Sequence, residues 1–477
     1  MSEVAAAPGT GTPTTRAMSR AEAPEVPARL ADEDATYWFL HRGLGWTVVL
    51  QLVWVFDGPV QTATLTAMNR ALSHGVLHRQ LIRPGIPGAR PRWNTAALNP
   101  ELSIDDRTIS ADRIDAWAAD EMATVDLDPE AGRCWRMRVV RCDSGDTAIS
   151  LCALHLVADG RTMVRAAADA MARAGTVDPD VPRREAHDVA PRSRRRRRVD
   201  DVIDAAGQVG RAAAGIVRAI NATRQQDDPS VPGVADRPVR APMAQRAPHA
   251  RWARATAAVP AVDWDRISAE CGGTANSLYI AVVTGLLRSS GYARLGETVK
   301  VGVPVDIRAG VDDTRANATA GVSIMLTDDP LPGGDLGPIR RAGKMAYQRL
   351  SDGRRPAMAH LYSLVWLLPA SWVTKVVTAG SGMPDAVVSN LGDLPPEMLE
   401  LDGCRARRSQ FRGMAQGVDA AMPHRFGDGV QSWLVRTPDR VTFSVFGCDE
   451  ERFDSDERLR DLLEEELSAW SLPYEVW

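Results

Sequence analysis

The sequence has little of what marks secreted, metal-binding or membrane-spanning proteins. Its six cysteines are scattered and form neither a CxxC pair nor a cluster with histidine. This excludes the usual thiolate zinc patterns and a disulfide framework, and it predicts reduced core cysteines. The first thirty residues contain no apolar signal-peptide segment, and no run is long and apolar enough for a transmembrane helix. These absences predict a cytoplasmic globular protein without a metal site.

The chain also lacks a charge excess and a repeat period. It has 57 Lys and Arg residues against 61 Asp and Glu residues, a formal net charge of −4. A mildly acidic balance does not favour nucleic acid as a partner. A length of 477 residues is enough for two domains with sizeable cores.

Changes in composition divide the chain into four parts. Residues 1–30 are rich in Ala, Pro, Thr and Gly, which predicts a disordered lead. Residues 31–175 alternate strand and helix patterns, which predicts one α/β layer domain. Residues 176–250 are polar and rich in Pro and Arg, and they predict a crossover linker with a helix at 202–223. Residues 251–477 form a second mixed α/β part of similar character.

The linker contains the arginine run RSRRRRR at 192–198. Such a run can attract nucleic acid, anionic lipid or the phosphates of CoA. No aromatic residues interleave with the arginines, which favours a solvated linker over a nucleic-acid groove. Attraction to an anionic membrane or to CoA stays open. The helix at 202–223 has apolar positions at helical spacing, so it either spans the two domains or lies against a lipid surface.

The segment AISLCALHLVADGRTMV, at 148–164, organises the first half. It begins as a buried strand, breaks at HLVADG, and continues with helical periodicity. His155 therefore lies where a strand gives way to a helix, and histidine is the usual general base near neutral pH. Asp159 can cap the helix, and Gly160 allows a backbone angle that other residues resist. The alternative is a core histidine beside an ordinary N-cap.

This segment resembles the HHxxxDG motif of the condensation-domain and CoA-dependent acyltransferase superfamily. The resemblance implies that His155 is the base, and that Asp159 and Gly160 are the aspartate and glycine of the motif. Leu154 stands where the motif has its first histidine. The resemblance also implies an α/β fold of two chloramphenicol-acetyltransferase-like mixed-sheet domains. These would form a pseudo-dimer, with the base in a tunnel between them.

Three further stretches are similar to the wax-ester synthase/diacylglycerol acyltransferase family: TANSLYIAVVTGLLRSSGY, VGVPVDIRAG and VVSNLGDLPP. The resemblance implies that Gly160, Asn276, Arg308 and Asn390 are substrate-binding residues. Each of the last three also has a structural interpretation. Asn276 can simply cap a helix, Arg308 can pair with Asp306, and Asn390 can satisfy a turn.

The resemblance has one further match and one departure. RANATAG follows the second stretch, and its Asn317 matches a downstream asparagine of that family. The DFGWG segment of plant-type and peptide-synthetase members has no clear counterpart, since FGDG at 426–429 is a poor substitute. Polyketide-associated acyltransferases and free-standing condensation domains are close alternatives.

The resemblance implies an acyltransferase that uses acyl-CoA or an acyl carrier thioester as co-substrate, without a further cofactor. The acyl group would pass to a hydroxyl or amine acceptor in lipid or secondary-metabolite acylation. His155 would take the acceptor proton, and Asp159 would point toward a cation, Arg79 or Arg308. Two alternatives stay open. One is a condensation-type enzyme that joins carrier-bound substrates. The other is a catalytically silent binding protein, an alternative that the replacement of the first motif histidine by Leu154 supports.

Overall fold

The computed structural model describes residues 29–174, 194–226, 252–310, 313, 315–327, 331–353, 357–369, 372, 384–418 and 429–477. The strands are β1 (Thr47–Phe56), β2 (Arg79–Ile82), β3 (Arg92–Thr95), β4 (Ser103–Ile104), β5 (Trp135–Arg141), β6 (Thr147–Leu154), β7 (Ala253–Pro260), β8 (Val299–Asp306), β9 (Thr319–Leu326), β10 (Ala386–Asp393), β11 (Glu400–Leu401), β12 (Cys404–Gln416), β13 (Val430–Arg436), β14 (Arg440–Gly447) and β15 (Glu475–Val476). The α-helices are α1 (Ala35–Phe39), α2 (Thr62–Leu72), α3 (Ile114–Thr124), α4 (Gly160–Ala174), α5 (Arg194–Gln226), α6 (Ala261–Glu270), α7 (Ala275–Ser289), α8 (Gly337–Ser351) and α9 (Asp456–Ala469). A 3-10 helix spans Ala357–Trp366.

The first lobe is built on a six-stranded sheet in the order β11-β12-β1-β6-β5-β4. Its pairs are antiparallel except β4 with β5. All eight residues of β6 are buried, as expected for a strand covered on both faces. The sheet packs with α2 and α4 in one large apolar cluster, and α3 packs in a smaller separate cluster. This central strand ends at the predicted catalytic histidine.

The second lobe is built on a seven-stranded sheet in the order β15-β7-β14-β13-β10-β8-β9. Strand β10 runs parallel to both β8 and β13, and the remaining pairs are antiparallel. Ten of the fifteen residues of α7 are buried, because this helix lies in the lobe's apolar cluster with α6 and α9. The predicted mixed α/β fold with two sheets is confirmed.

Strand β12 crosses from the second half of the chain into the sheet of the first lobe. It lies within residues 251–477, yet it pairs with ten residues of β1. The sequence pattern does not predict this strand, because arginines interrupt its apolar alternation. Arg412 is only 1 % exposed, and it donates to Gln51 Oε1 (2.7 Å) and Asp115 Oδ1 (2.7 Å). The predicted domain boundaries stay predictions, but β11 and β12 belong to the first sheet.

Two element boundaries in the second lobe have clear local causes. Strand β7 ends at Pro260 because α6 begins at the next residue. The last helix, α9, begins at Asp456. The Ser455 side chain caps it by accepting from the backbone N–H of Arg458 (3.2 Å).

The linker predictions have mixed outcomes. The predicted helix at 202–223 is confirmed as α5, which begins earlier, within the arginine run. The lead to residue 28, the linker at 175–193 and 227–251, and 426–428 of the FGDG segment lie outside the described residues. None of the helices in the described ranges is long and apolar enough to cross a membrane.

Candidate active site

His155 lies at the first position after β6, where the strand turns toward α4. Its backbone N–H donates to the carbonyl of Val48 on β1 (2.8 Å). The neighbouring strand therefore holds the histidine in place after the ladder of β6 has ended. A side chain anchored at the end of a buried central strand has little freedom, which suits a base that must be held still.

Asp159 faces away from the imidazole and joins the two lobes. Its Oδ1 accepts from the backbone N–H of Thr162 (2.9 Å), which makes it the N-cap of α4. Its Oδ2 accepts from Arg308 Nη2 (2.6 Å) of the second lobe. Of the two cations predicted for this carboxylate, Arg308 is therefore the partner. Arg79 is buried with its guanidinium over the Trp93 ring (5.9 Å).

The Asp159 carboxylate stays ionised despite its burial. Burial raises the pKa of Asp159, but Arg308 and the backbone N–H groups of Ala318 and Thr162 outweigh it and hold the pKa below its ordinary value. Arg308 also pairs with Asp306 (2.9 Å), so the structural interpretation of Arg308 is correct as well. These contacts place Arg308 in the seam between the lobes.

Asn317 determines which nitrogen of His155 carries the proton. Its Nδ2 donates to Asp34 Oδ1 (2.8 Å) and to the His155 carbonyl (3.0 Å), so its Oδ1 is free to face the imidazole. That Oδ1 lies 3.1 Å from His155 Nδ1. An amide oxygen only accepts, so Nδ1 carries the hydrogen and Nε2 presents a lone pair. This is the tautomer that a general base at Nε2 requires.

Asp34 supports Asn317 from the N-terminal end of the first lobe. The carboxylate is 2 % exposed, and it also accepts from the backbone N–H of Ala31 (2.8 Å). Burial raises the pKa of Asp34 to about 7, although the Asn317 hydrogen bond acts in the opposite direction. A chain of three side chains, Asp34, Asn317 and His155, therefore runs across the seam.

Tyr37 covers the other side of the imidazole. Its ring stacks on that of His155 with centroids 3.8 Å apart, and its hydroxyl lies 2.9 Å from Nε2. Since Nε2 is the acceptor, the Tyr37 hydroxyl is the donor. Burial lowers the pKa of His155 and raises that of Tyr37, so both are neutral at neutral pH. The base is thus unprotonated, and its lone pair is occupied by a phenol.

A small hollow lies beside this pair. It is lined by Tyr37, His41, Thr47, Val48, Pro129, Leu154 and Leu156, and its volume is about 10 Å³. That is room for no more than about one water molecule. Leu154, which stands where the resembled motif has a histidine, is part of its wall. The hollow is too small for a pantetheine arm, so the tunnel stays a prediction.

Gly160 is required for a reason other than the one predicted. It does not have the positive φ that favours glycine. A Cβ on Gly160 would instead lie 2.8 Å from Cδ2 of Leu391, which belongs to the VVSNLGDLPP stretch and lies on β10. The expectation of a special backbone angle is wrong. The glycine allows β10 of the second lobe to approach the first turn of α4.

Asn276 and Asn390 contact each other rather than His155. Asn390 Nδ2 donates to Asn276 Oδ1 (3.2 Å), and Asn390 Oδ1 accepts from the backbone N–H of Gly392 (2.9 Å). The turn interpretation of Asn390 is therefore confirmed. Asn276 is not the cap of α7, because Thr274 fills that position. Their substrate-binding roles stay predictions.

Solved structures resemble most of the chain, although no family model and no curated protein matches its sequence. The first condensation domain of the CDA synthetase has 17% identity and a TM-score of 0.61, and the match covers 94% of this chain and 96% of that one. The wax ester synthase/diacylglycerol acyltransferase from Marinobacter aquaeolei VT8 has 16% identity and a TM-score of 0.55, with 93% and 98% covered. The chain has the condensation-domain fold.

The starter condensation domain of rhizomide synthetase, solved in complex with C8-CoA and Leu-SNAC, has the same fold. It has 15% identity and a TM-score of 0.55, and the match covers 94% of this chain and 95% of that one. Matches of this extent include both lobes and the seam between them. The predicted two-lobed acyltransferase-type architecture is thereby confirmed, whereas identities this low leave the reaction to be argued from the site.

Within this condensation-domain fold, sequence reasoning missed three side chains that touch or orient the histidine. The sequence marked Asn317 only as a match to the resembled family, and it did not mark Asp34 or Tyr37 at all. The available signal was DEDATYWF, in which three acidic residues come directly before the apolar part of a short helix. Nothing local showed that this helix meets a residue some 280 positions later. Among the described residues, no cluster of three or more His, Cys, Asp or Glu could hold a metal ion.

Proposed function

We propose that this protein is an acyltransferase that moves an acyl group from a thioester to a hydroxyl or amine acceptor, with His155 as the general base. One observation carries the proposal. The contact between Asn317 Oδ1 and His155 Nδ1 (3.1 Å) puts the proton on Nδ1 and the lone pair on Nε2. Asp159 does not compete for the imidazole, because it is bound by Arg308 (2.6 Å).

The imidazole, the acceptor and the thioester account for every proton and every bond in the reaction. Nε2 takes the proton of the acceptor O–H or N–H while the acceptor atom bonds to the thioester carbonyl carbon. The tetrahedral oxyanion then collapses, the C–S bond breaks, and the leaving thiolate recovers the proton from the imidazolium. A general base of this kind contributes about 10²–10⁴ to the rate. The donor is acyl-CoA or an acyl carrier thioester, in lipid or secondary-metabolite acylation, and no other cofactor takes part.

Tyr37 occupies the position that the acceptor must reach. The acceptor either displaces the phenol from Nε2 or passes its proton through the Tyr37 hydroxyl. Tyr37→Phe separates these routes, because it frees Nε2 without removing the stacked ring. A rate that is kept or raised supports displacement. A rate that falls about as far as in a base variant supports a relay.

The test is a thioester assay with detection of free thiol. The donors are short- and long-chain CoA thioesters and carrier-loaded acyl groups, each with alcohol and amine acceptors. Turnover that His155→Ala lowers by at least about 100-fold supports the proposal. The matched control is His74→Ala, since His74 is exposed just after α2 and its Nδ1 contacts the Arg70 carbonyl oxygen (2.8 Å) at the end of that helix. Equal losses in the two variants would refute a base role for His155.

Two other functions remain candidates. Turnover only with carrier-loaded donors and carrier-bound acceptors supports a condensation-type enzyme, and an acyl carrier protein is then a partner. A catalytically silent binding protein is favoured by a specific observation, since Tyr37 covers Nε2 and Leu154 replaces the first motif histidine. No thiol release from any donor supports that function and refutes acyl transfer.

A further inference from the structure

Helix α5 exposes a continuous row of aliphatic side chains. These residues are separated by three, four or seven positions along one face, which makes a single stripe on an α-helix. The row consists of Val199, Val202, Ile203, Val209, Ile216, Val217 and Ile220, each between 43 and 65 % exposed. We call these seven residues the apolar stripe. Single exposed aliphatic residues are normal, but a contiguous row marks an interaction surface.

The opposite face of α5 fixes which way the stripe points. Asp201 and Asp204 are bound by arginines of the first lobe, among them Arg29 (2.8 Å) and Arg90 (2.9 Å). Gly215 lies against the 3-10 helix so closely that a Cβ would be 2.2 Å from the His360 carbonyl oxygen. Rotation of the helix to bury the stripe would break these contacts. The apolar stripe is therefore held outward.

The same helix begins with five successive arginines, Arg194–Arg198. Its first turn has no acidic residue. The N-terminus of a helix is the positive end of its dipole, so this run adds like charge where carboxylates are normally favourable. An anionic surface at this end would offset that cost. Arg195 and Arg198 are exposed and continue the line of the apolar stripe by helical spacing.

We propose that the apolar stripe and the arginine run dock α5 on an anionic lipid membrane surface, with the helix axis parallel to the membrane plane. A helix of 33 residues is about 50 Å long, and an aliphatic face with cationic residues at its end is the pattern of an interfacial helix. The aliphatic groups enter the headgroup boundary, and the arginines contact lipid phosphates.

Charge argues against two other occupants. If two copies packed stripe to stripe in parallel, their arginine runs would meet. In antiparallel packing each run would face the far end of the other stripe, where residues 205–221 contain no carboxylate to pair with it. Nucleic acid would satisfy the arginines but would leave the aliphatic residues in water. An anionic bilayer satisfies both.

The docked helix would lie close to the site. It packs on the 3-10 helix Ala357–Trp366, which in turn contacts α1, and α1 carries Tyr37. The 3-10 helix thus lies between the docked helix α5 and α1, whose Tyr37 covers His155. The proposal does not depend on acyl transfer, because vesicle binding needs no thioester.

The test is flotation of the full-length protein with vesicles of phosphatidylcholine alone or mixed with phosphatidylglycerol. We expect binding to the anionic vesicles only. Ile203→Ser with Val217→Ser should weaken it by about tenfold or more. The matched control changes Val262→Ser and Leu295→Ser, which are 73 % and 71 % exposed in the second lobe. This control should bind as the wild type does.

The charge is tested by Arg195→Gln with Arg198→Gln, which should weaken binding by about tenfold or more and reduce its dependence on salt. Arg340→Gln with Arg349→Gln, both exposed on α8, is the control. Circular dichroism establishes that each variant is folded. Absence of wild-type binding, or equal binding by the stripe variant, would overturn the proposal. So would a dimer in sedimentation that the stripe variant abolishes, because the stripe would then be a subunit interface.

Discussion

At the scale of single residues, the imidazole of His155 is defined by its neighbours rather than by its motif. Asn317 receives the Nδ1 hydrogen, Tyr37 donates to Nε2, and Asp34 orients Asn317. The motif carboxylate of Asp159 contacts none of the imidazole atoms and instead binds Arg308. The base therefore depends on an amide oxygen for its tautomer.

Asn317→Ala should lower the rate without unfolding the protein. The variant loses the acceptor for Nδ1–H, so the imidazole is free to rotate and change tautomer. We expect kcat to fall by about 10- to 100-fold, a part of what a general base contributes, with a smaller change in KM. Asn94→Ala is the matched control, since Asn94 is exposed on β3 and has no predicted role at the site. Similar kcat losses in both variants would argue against the tautomer role.

Asp34 should make stability depend on pH. Burial raises its pKa to about 7, whereas an unfolded aspartate has a pKa of about 3.9. Between these values the folded state holds a proton that the unfolded chain has released. The free energy of unfolding therefore falls as pH rises through this window. Relative to Asp34→Asn, which cannot titrate, the wild type should be less stable at about pH 8 than at about pH 5.

Urea unfolding at the two pH values measures this difference. The control is Asp106→Asn, since Asp106 is exposed and lies in a loop before α3. This comparison shows whether the pH dependence belongs to the buried carboxyl of Asp34. If the Asp34→Asn difference is also constant, the carboxyl of Asp34 is ionised throughout, and the raised pKa is wrong.

At the scale of elements, the turn between β6 and α4 is where the lobes are joined. The backbone N–H of Asp159 donates to the Ala316 carbonyl (3.0 Å), and its carboxylate accepts from the backbone N–H of Ala318 (2.9 Å). Gly160 admits Leu391 of β10 against the first turn of α4. A sequence pattern located this turn correctly, because strand and helix periods meet there. It did not show that loop residues of the other lobe complete it.

Asp159→Asn should destabilise this junction strongly. Arg308 is 5 % exposed, and its pair with Asp159 is buried, so removing one charge leaves the other poorly compensated. We expect a loss of about 3–5 kcal/mol in the free energy of unfolding and a lower folded yield. Asp265→Asn breaks an ion pair with Arg436 that is substantially exposed, and it should cost about 0–1 kcal/mol. Equal costs in urea unfolding would contradict a buried, structural pair.

At the scale of the whole molecule, β12 makes the two lobes interdependent. The chain leaves the second sheet after β10, adds β12 beside β1 of the first sheet, and returns as β13. Its buried arginine lies in a polar layer with Gln51 and Asp115, beneath α3. Separation of the lobes would expose β1 and leave these groups without partners.

Arg412→Ala should therefore destabilise the protein far more than a change at the exposed end of the same strand. It leaves the largely buried Asp115 with Arg254 as its remaining cation (3.4 Å). The expected loss in urea unfolding is about 3–5 kcal/mol. Arg405→Ala removes an exposed pair with Asp439 and should cost about 0–1 kcal/mol. A loss below about 1 kcal/mol for Arg412→Ala would show that β12 does not hold the first lobe together.

The sequence by itself determined the features that depend on residues close to each other along the chain. Periodicity located β6, α4 and α5, and placed His155 at the end of a buried strand with Asp159 as a helix cap. These features follow from which side chains alternate or recur along a few turns, and such patterns are visible without knowledge of the fold.

Only the tertiary structure decided what surrounds the histidine and how the sheets are shared. Asp34, Tyr37 and Asn317 come from segments far apart in the chain, and their contacts exist only after both lobes have packed. The position of β12 was hidden for the same reason. From the sequence alone, Arg412 would be predicted on the surface. It is buried because Asp115, distant in the chain, compensates its charge, and the cost of burying an ion depends on partners that local sequence does not show.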